Sequence, residues 1–472
     1  MDSRITARTL AHSLGGWRTR EPAYEALADG IRLLCLDNRL APRTALPAER
    51  ELAHALGVSR TTVAAAYRSL RESAHIQSLR GSGSVTLPLG GRAHGRGNVG
   101  EDEIDLTQAS PAAWPGLAGV MSDVAQDAAA LVARAGYDII GSAELRAAIA
   151  DRYEARGIPT SPDEILVTTG AQSAIHLLSQ ALVRRGDRAA IETPTYPHAA
   201  EALRAAGARL VSIPVHVEEG WDLDRATQAL SRTRPTLAYL MPQFHNPTGR
   251  TMTMAERASI TRAAVDAGTT IVIDETTAEL AIEPKPVDPA TWETASLIRV
   301  GSLGKTVWGG LRIGWIRADR DRVREFAALR PPRELGTPEF EQAVATRLLP
   351  RMPEILAQRS LLLRSGRDAL VDALRERLPE WRVPMAAGGV CVWLELDAPL
   401  SSGLVIAART HGVHLSAGPR FSPEGGHERQ LRIPFTAPPD QLRRAVDVLA
   451  EVWPAVRAAA PIAAAAPIGA VV

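Results

Sequence analysis

Residues 269–280 read TTIVIDETTAEL, and in this stretch an acidic residue, Asp274, directly follows a run of β-branched residues. Such a run is typical of a strand that is buried in a sheet. Further runs of the same kind occur on either side, and between them lie amphipathic stretches, such as 174–187 and 254–268, that are long enough for helical crossovers. The sequence therefore predicts an α/β fold with a mostly parallel central sheet.

The 472-residue chain has the composition of a globular protein, with 45% hydrophobic and 23% charged residues. Its 54 basic and 53 acidic residues give a net charge of +1, which excludes a chain-wide attraction to nucleic acid and leaves only local patches for such binding. Cys35 and Cys391 lack metal-ligand spacing, so we expect no metal site and a reducing, cytoplasmic location. No apolar run has membrane-spanning length, so we expect no membrane partner.

Changes in pattern divide the chain into five predicted segments. They are an N-terminal segment, 1–20; a small unit of helices and short strands, 21–87; a glycine-rich flexible linker, 88–103; an α/β domain, 104–457; and a low-complexity, disordered tail, 458–472. Two strand candidates, 388–396 and 430–435, alternate with helical stretches near the end of the α/β domain. They predict a smaller α+β subdomain at its C-terminal end.

Polar or glycine residues follow the predicted strands of the α/β domain, namely Gly170, Tyr196, Asn246, Asp274 and Lys305. Because ligands collect at the carboxyl ends of strands in open α/β sheets, we expect these residues to line one crevice. An amine, a carboxylate, an amide and an aromatic ring are the groups that pyridoxal phosphate needs, since its aldehyde binds an amine and its ring nitrogen pairs with a carboxylate. Each residue alone also fits an ordinary role, such as a solvated lysine or a strand-end cap.

Residues 104–457 resemble the fold-type-I aminotransferases. The motifs that carry the resemblance are YDIIGSAELRAAI (137–149), TTGAQSAI (168–175), TPTYP (193–197), HNPTG (245–249), DETTAEL (274–280), SLGKTVWGGLRIGW (302–315) and LRIPF (431–435). The resemblance implies an aminotransferase-like fold, with a large domain and a smaller C-terminal subdomain, that binds pyridoxal 5'-phosphate.

The same resemblance implies a role for each residue. Lys305 forms the Schiff base with the cofactor, Asp274 pairs with its ring nitrogen, Asn246 binds its phenolic oxygen and Tyr196 stacks on its ring. The implied phosphate ligands are Gly170, Ala171, Gln172, Ser302 and Arg312, with Tyr137 reaching the phosphate of the neighbouring subunit. Arg432 is implied to bind the α-carboxylate of an amino-acid-like effector. The sequence departs from the family at Thr276 and Thr277, where a tyrosine is usual, and at Gly304, where a serine is frequent.

The N-terminal unit contains the pattern of a helix-turn-helix at residues 46–72, LPAERELAHALGVSRTTVAAAYRSLRE. Gly57 suits the turn, Ser59 suits the cap of the second helix, and Arg60 opens that helix where a recognition helix meets phosphates and bases. Residues 60–84 contain four arginines and one glutamate, so this stretch carries a local net charge of +3 and predicts a basic patch. The pattern alone is compatible both with DNA binding and with an ordinary amphipathic helix pair.

Residues 22–87 resemble the winged helix-turn-helix of the GntR family. The resemblance implies that DNA is contacted by Arg50, Ser59, Arg60, Thr61 and Thr62, and by Arg80 and Gly81 in the wing. Two positions depart from the family pattern, since Ala74 replaces a glycine and Leu79 replaces an arginine.

A GntR-like unit joined to an aminotransferase-like domain resembles the MocR-type transcriptional regulators. This resemblance implies a head-to-tail homodimer that binds double-stranded operator DNA and senses pyridoxal phosphate or an amino compound. Two alternatives remain open from the sequence. One is a catalytically active aminotransferase with a secondary DNA-binding unit, and the other is a DNA-binding regulator whose pocket holds no cofactor.

Overall fold

The computed structural model describes residues 4–14, 17, 22–36, 39–73, 75–79, 83–87, 103–283 and 297–459. Several predictions fall elsewhere. The flexible linker apart from its last residue, the disordered tail beyond residue 459, the Ala74 departure, and the wing residues Arg80 and Gly81 lie outside the described residues, as does the side chain of Leu79.

The N-terminal domain contains four described helices and a hairpin: α1 (Ala7–Leu14), α2 (Ala23–Leu36), α3 (Glu49–Leu56), α4 (Arg60–Glu72), β1 (Ile76–Leu79) and β2 (Gly83–Thr86). Gly57 ends α3 in the left-handed conformation, with φ of 63°, and its N–H bonds back to the helix. Ser59 caps α4, because its hydroxyl accepts a hydrogen bond from the backbone N–H of Thr62 at 3.1 Å. The predicted helix-turn-helix is therefore present.

Helix α1 lies within the predicted N-terminal segment 1–20 and packs against α2 and α3 of the predicted unit 21–87. Leu10 and Leu14 of α1 are buried in the same hydrophobic cluster as Leu52 and Val63 of the helix-turn-helix. The two leucines are four residues apart and therefore lie on one face of α1. Their burial makes α1 part of the domain core.

Residues 103–459 contain, in chain order, β3 (Ile104–Asp105), α5 (Leu117–Gln126), α6 (Ala128–Val132), α7 (Ala143–Ala155), β4 (Ile165–Thr168), α8 (Ala171–Leu182), β5 (Arg188–Thr193), α9 (Pro197–Ala205), β6 (Arg209–His216), β7 (Gly220–Trp221), α10 (Leu223–Thr233), β8 (Leu237–Leu240), α11 (Met254–Ala267), β9 (Thr270–Asp274), β10 (Leu297–Ser302), β11 (Gly314–Arg317), α12 (Arg320–Ala328), α13 (Glu339–Leu348), α14 (Met352–Arg377), β12 (Cys391–Glu395), α15 (Ser401–Thr410), β13 (Val413–His414), β14 (Ser416–Ala417), β15 (Gln430–Pro434) and α16 (Pro439–Ala459).

The central sheet of the large domain has, within the described residues, the strand order β4-β11-β10-β9-β8-β5-β6-β7. The strands from β10 to β6 are parallel to one another, whereas β11 is antiparallel to both of its neighbours. Strands such as 165–168 and 237–240 are buried along their whole length, because helices cover both faces of the sheet. The predicted α/β class with a mostly parallel sheet is confirmed.

The smaller subdomain follows the long helix α14. Its sheet has the order β12-β15-β14, and β13 pairs with β3 from the start of the domain. The core of this subdomain lies among α14, α15, α16 and the sheet. Leu33 of α2 is buried in that same cluster, and α2 packs against α15. The N-terminal domain therefore contacts the small subdomain of its own chain.

Candidate functional site: the crevice of the large domain

The structure places five predicted site residues at one edge of the sheet. Gly170 follows β4, Tyr196 follows β5, Asn246 follows β8, Asp274 ends β9, and Lys305 follows β10. Strands β5, β8, β9 and β10 are successive neighbours and parallel, so their carboxyl ends meet at this edge. The charges of Asp274 and Arg432 both act on Lys305, so both groups lie near the lysine.

Lys305 lies in the loop after β10, and its Nζ donates a hydrogen bond to the carbonyl oxygen of Ala109 at 2.7 Å. Burial, together with the nearby positive charge of Arg432, lowers the pKa of this amine to about 8. A larger fraction of the amine is therefore neutral near pH 7 than for a solvated lysine. A neutral amine is the form that attacks an aldehyde.

This pKa predicts the pH dependence of the Lys305 amine. In the cofactor-free protein, we expect the rate at which the amine reacts with pyridoxal phosphate to rise up to about pH 8 and then to level off, because the fraction of neutral amine saturates above its pKa of about 8. Stopped-flow absorbance between pH 6 and pH 10 measures this rate. A rate that keeps rising to pH 10, as for a solvated lysine, contradicts the prediction.

Asp274 is buried, at 2% exposure, and both of its carboxylate oxygens accept hydrogen bonds. Oδ1 accepts from the backbone N–H of Thr276 at 2.8 Å, and Oδ2 accepts from the hydroxyl of Tyr239. Burial raises the pKa of the carboxyl, while these hydrogen bonds lower it. Within the described part of the chain, no lysine or arginine forms an ion pair with Asp274. A buried carboxylate without a countercharge fits a cationic ligand group.

Asn246 contacts the small subdomain through Cys391. The Cys391 thiol donates to the Asn246 Oδ1 at 3.8 Å and to the carbonyl oxygen of Pro247 at 3.6 Å. Burial raises the pKa of this thiol to about 11, so it stays protonated and remains a donor. In this arrangement the amide oxygen of Asn246 lies toward the thiol, and its amide nitrogen is a hydrogen-bond donor.

The two threonines after Asp274 serve the local backbone. The backbone N–H of Thr276 bonds to Asp274, and the hydroxyl of Thr277 donates to the carbonyl oxygen of Gln243 at 3.0 Å. Thr277 therefore ties the loop after β9 to the loop after β8. Neither residue supplies the phenol that is usual in the family.

The N-terminus of α8 is shaped for an anion. The first-turn N–H groups of Ala171 and Gln172 have no partner within the helix, and the helix dipole adds positive charge there. Gly170 precedes them with φ of 85°, and its own N–H is already bonded to the carbonyl oxygen of Thr168 at 2.8 Å. Gly170 thus contributes backbone conformation, and the Gln172 Oε1 is buried without a hydrogen-bond partner.

Arg312 and Ser302 flank this helix end. The Arg312 Nη2 donates to the carbonyl oxygen of Thr169 at 2.8 Å. The Ser302 hydroxyl donates to the carbonyl oxygen of Ile313 at 3.0 Å and accepts from the N–H of Gly304 at the same distance. The cation therefore lies next to the helix N-terminus, and Gly304 closes a tight turn through the serine. Cationic and helix-end donors together are a phosphate-binding set.

Gly314 allows β11 to approach α8 closely. A Cβ at this position would lie 2.6 Å from the carbonyl carbon of Gly170 and 2.7 Å from the nitrogen of Ala171, both of which are backbone atoms. We therefore expect Gly314→Ala to displace the helix end and to weaken phosphate binding about tenfold or more, measured by fluorescence titration with pyridoxal phosphate. Gly119→Ala in α5 is the matched control, since its Cβ meets nothing within 4 Å. An unchanged affinity of Gly314→Ala for pyridoxal phosphate contradicts the assignment of the phosphate to the N-terminus of α8.

Arg432 lies in β15 at the far side of the crevice. Its Nη2 donates to the carbonyl oxygen of Thr107 at 2.5 Å, and its guanidinium carbon lies 4.6 Å from the centre of the Phe421 ring. Its Nε is buried without a hydrogen-bond partner, and no carboxylate of the described residues forms an ion pair with it. A buried, half-satisfied guanidinium is the group that binds a ligand carboxylate in a bidentate manner.

Tyr196 and Tyr137 differ in their surroundings. Tyr196 is half-buried and packs against the hydrophobic core of the large domain. Burial, together with the negative charge of Asp274, raises its pKa to about 12. Tyr137 is 75% exposed, and it follows α6, a helix without buried residues on which Val132 is 80% exposed. Tyr137 therefore does not reach the crevice of its own chain.

Sequence reasoning missed three residues that organise the crevice: Tyr239, Cys391 and Arg359. Arg359 of α14 is buried and donates to the carbonyl oxygens of Ala112, Thr306 and Val307 at 2.9–3.0 Å. It therefore holds the Lys305 loop against the segment that accepts from Lys305. A signal existed only for Tyr239, since a hydroxyl inside an otherwise apolar strand needs a partner.

The N-terminal domain presents the candidate DNA interface. Ser59, Arg60 and Thr61 are exposed at the start of α4, and Thr62 is half-buried there. Arg50 is exposed in the first turn of α3. The Ser59 hydroxyl is engaged in capping and in hydrogen bonds to both threonines, at 2.7 and 2.8 Å. The Arg60 Nε lies 3.4 Å from a carboxylate oxygen of Glu49, and its side chain is 73% exposed. Arg60 is thus free to extend from the helix toward a phosphate or a base.

Comparison with known families decides the affiliation of the large domain. Residues 120–449 match the family described as aminotransferase class I and II. The chain belongs to this aminotransferase family. Residues 23–85 match the bacterial regulatory proteins of the GntR family, so the family member carries a GntR-type helix-turn-helix at its N-terminus. The predicted MocR-type architecture is confirmed, and pyridoxal phosphate is the cofactor of the family.

Relatives of this aminotransferase-family chain include regulators and an enzyme. It is 29% identical, over 87% of this chain and 94% of the relative, to the uncharacterized HTH-type transcriptional regulator YdcR of Escherichia coli. It is 31% identical, over 62% of this chain and 65% of the relative, to "Probable rhizopine catabolism regulatory protein MocR" of Rhizobium meliloti. The α-aminoadipate aminotransferase LysN of Thermus thermophilus, solved with N-(5'-phosphopyridoxyl)-L-leucine, superposes with a TM-score of 0.68 at 28% identity, covering 75% of this chain and 93% of LysN.

Two absences hold for the described residues. None of their helices is both long and apolar enough to cross a membrane. No group of three or more histidine, cysteine or acidic side chains among them is arranged to hold a metal ion.

Proposed function

We propose that this protein is a transcriptional regulator that binds operator DNA through its N-terminal domain and senses pyridoxal phosphate or an amino compound through Lys305. The observation that carries the proposal is the presence of both functional surfaces in one chain. An exposed basic helix start lies in the GntR-type domain, and a buried amine with a lowered pKa lies in the crevice of the large domain. Double-stranded DNA and an amino-acid-like effector are the partners that these surfaces fit.

The crevice residues fit pyridoxal phosphate. Asp274 lacks a countercharge among the described residues, Arg432 has an unsatisfied Nε, and the N-terminus of α8 lies beside Arg312. When bound, the cofactor supplies an aldehyde that combines reversibly with amines and a ring that withdraws electrons. Lys305 provides the amine, Asp274 the carboxylate for the ring nitrogen, and Asn246 the amide for the phenolic oxygen.

The remaining groups bind and orient. We assign the phosphate to the N–H groups of Ala171 and Gln172 together with Ser302 and Arg312, with Gly170 setting the backbone. Tyr196 covers the ring, and Arg432 takes the carboxylate of the effector. An effector that brings its own amine competes with Lys305 for the cofactor, which is the event that the protein senses.

The exposed surface around Tyr137 supports a homodimer. An aromatic side chain at 75% exposure beside a helix without buried residues is a surface of the kind that a partner covers. In a head-to-tail dimer, Tyr137 completes the phosphate site of the neighbouring subunit. Gel filtration with light scattering tests whether the protein is a dimer. The expected location of the protein is the cytoplasm, where the operator DNA is.

The small subdomain connects the two functions. Its segment 418–428 carries Phe421 beneath Arg432, and it ends at Glu428, which accepts a hydrogen bond from the N–H of Ser402 at 3.0 Å. Ser402 lies in the first turn of α15, and α15 packs against α2 of the DNA-binding domain. Effector binding at Arg432 thus acts on a subdomain that contacts the DNA-binding domain.

The second candidate function is catalytic transamination. Lys305, Asp274 and Arg432 form the set that such chemistry requires, and this observation favours the alternative to the same degree as effector sensing. A regulator with an empty pocket is disfavoured, because the unsatisfied Arg432 and the uncompensated Asp274 are costly to bury without a ligand.

One pair of measurements tests the proposal. Purified protein is titrated with amino acids and amines while its cofactor absorbance is recorded, and the same compounds are added to a mobility-shift assay on DNA upstream of its own gene. A compound that changes both the absorbance and the DNA affinity supports the regulator. Turnover with a keto-acid acceptor at ordinary enzyme rates, together with no preference for any DNA over a random duplex, supports the aminotransferase instead.

A further inference from the structure

Tyr239 is a buried tyrosine whose hydroxyl has a specific partner. It lies in β8 at 2% exposure, and β8 pairs with β9 so that Tyr239 is opposite Val272, two residues before Asp274. Its hydroxyl donates a hydrogen bond to the Asp274 Oδ2. Burial raises the pKa of the phenol well above its usual value, and the charge of Asp274 raises it further, so the hydroxyl stays protonated and can only donate here.

Asp274 depends on the hydrogen bond from Tyr239 more than the neighbouring Glu275 depends on a hydrogen bond from a tyrosine. Glu275 also accepts from a buried tyrosine, Tyr153, at 2.7 Å, but it is paired with Arg299 at 2.6 Å and with Arg156 at 3.8 Å. These guanidinium groups keep the pKa of Glu275 below its usual value. Asp274 has hydrogen bonds from its own loop and from Tyr239, but no ion pair within the described residues.

We propose that Tyr239 is a positioning residue that holds the Asp274 carboxylate ionised and in a fixed orientation, and thereby keeps the ring nitrogen of the bound cofactor protonated. This inference rests on the proposed cofactor site. The tyrosine touches neither the effector nor the cofactor and acts through Asp274. Donors to a carboxylate favour its ionised form, so losing the phenol moves the shared proton from the ring nitrogen toward Asp274.

Other ionisable groups also face Asp274. Glu275 acts on it through its negative charge, and Asp274 in turn acts on Lys305 and Tyr196. None of these groups is changed by substitution at position 239. The effect of that substitution on the ring nitrogen can therefore be read at one pH at which they keep their charge states.

The test compares Tyr239→Phe with Tyr153→Phe in the full chain. Both changes remove a fully buried hydroxyl that donates to an acidic side chain, so the second is a control for the loss of folding stability. The holoprotein is prepared with pyridoxal phosphate labelled with ¹⁵N in the ring, and the ¹⁵N chemical shift is measured. The dissociation constant for the cofactor is measured by fluorescence titration.

We expect the ¹⁵N shift of Tyr239→Phe to move toward that of an unprotonated pyridine and its cofactor affinity to fall about tenfold or more, because a hydrogen bond to a charged group is lost. Tyr153→Phe is expected to keep the wild-type shift. A wild-type ¹⁵N shift in Tyr239→Phe overturns the inference and leaves the proposed cofactor site intact. A wild-type protein that takes up no labelled cofactor overturns both.

A second variant covers the case in which Tyr239→Phe does not fold. Incorporation of 3-fluorotyrosine at position 239 keeps the hydroxyl and the shape of the side chain but makes the phenol a stronger donor. The ¹⁵N shift is then expected to stay at, or move further toward, the protonated value. A move toward the unprotonated value contradicts the proposed role of Tyr239.

Discussion

Lys305→Ala is expected to abolish covalent cofactor binding completely. Lys305 is one of only two lysines in the chain, and its amine is buried at the carboxyl edge of the sheet with a pKa lowered to about 8. Alanine has no group that combines with an aldehyde, so borohydride treatment should leave no cofactor attached to any peptide, and the near-visible absorbance band should be absent.

Lys285→Ala provides the control for this experiment, because it removes the other lysine. That variant should retain both the band and the borohydride label. Peptide mapping of the wild-type protein should find the label on the peptide that contains Lys305. A label on the Lys285 peptide, or a normal band in Lys305→Ala, contradicts the assignment.

Arg60→Ala is expected to weaken specific DNA binding by about 5- to 150-fold, which corresponds to about 1–3 kcal/mol for a lost bidentate base contact or phosphate contact. Arg60 opens α4, and its side chain is 73% exposed with only a 3.4 Å contact to Glu49. Its removal therefore costs the folded domain little. Mobility-shift titrations at two salt concentrations measure the loss of affinity. If Arg60 contacts the DNA backbone, the slope of log affinity against log salt concentration should become shallower by about 0.9, the contribution of one phosphate contact.

Arg443→Ala is the matched control for Arg60→Ala. Arg443 lies on α16 and also forms an ion pair with one acidic residue, Asp440, at 2.9 Å, but it belongs to the small subdomain. The control should bind DNA like the wild-type protein, and both variants should keep the cofactor absorbance. An Arg60→Ala variant that binds operator DNA with wild-type affinity contradicts the assignment of α4 as the recognition helix.

The order of the site residues could be predicted because each of them has a local signal. Asp274 directly follows a β-branched run, and Gly170 separates a buried strand from an amphipathic helix. In a parallel sheet these positions along the chain also predict where the residues lie in the fold, because the carboxyl ends of all parallel strands lie on one edge. The helix-turn-helix was equally readable, because Gly57 and Ser59 are residues that end and begin helices through their own backbone and side-chain chemistry.

The packing of α1 could not be predicted in the same way. Leu10 and Leu14 stand on a helix of eight residues, and nothing in so short a pattern says which surface will cover them. Their burial depends on α2 and also on α3, which begins more than thirty residues later in the chain. Packing between separate segments decided that α1 shares the hydrophobic cluster of the helix-turn-helix.

The sequence by itself determined the two-domain architecture, the sheet and the residues at its carboxyl edge, because strand and helix periodicity, caps and turns act over a few residues. Only the tertiary structure decided which groups act on those residues: Tyr239 on Asp274, Cys391 on Asn246, and Arg359 on the Lys305 loop. Each of these contacts joins residues that are distant in the chain, with separations of 35, 145 and 53 residues respectively. Burial makes such contacts decisive, since a polar group removed from water must find its partner within the protein, and the fold determines which partner is near.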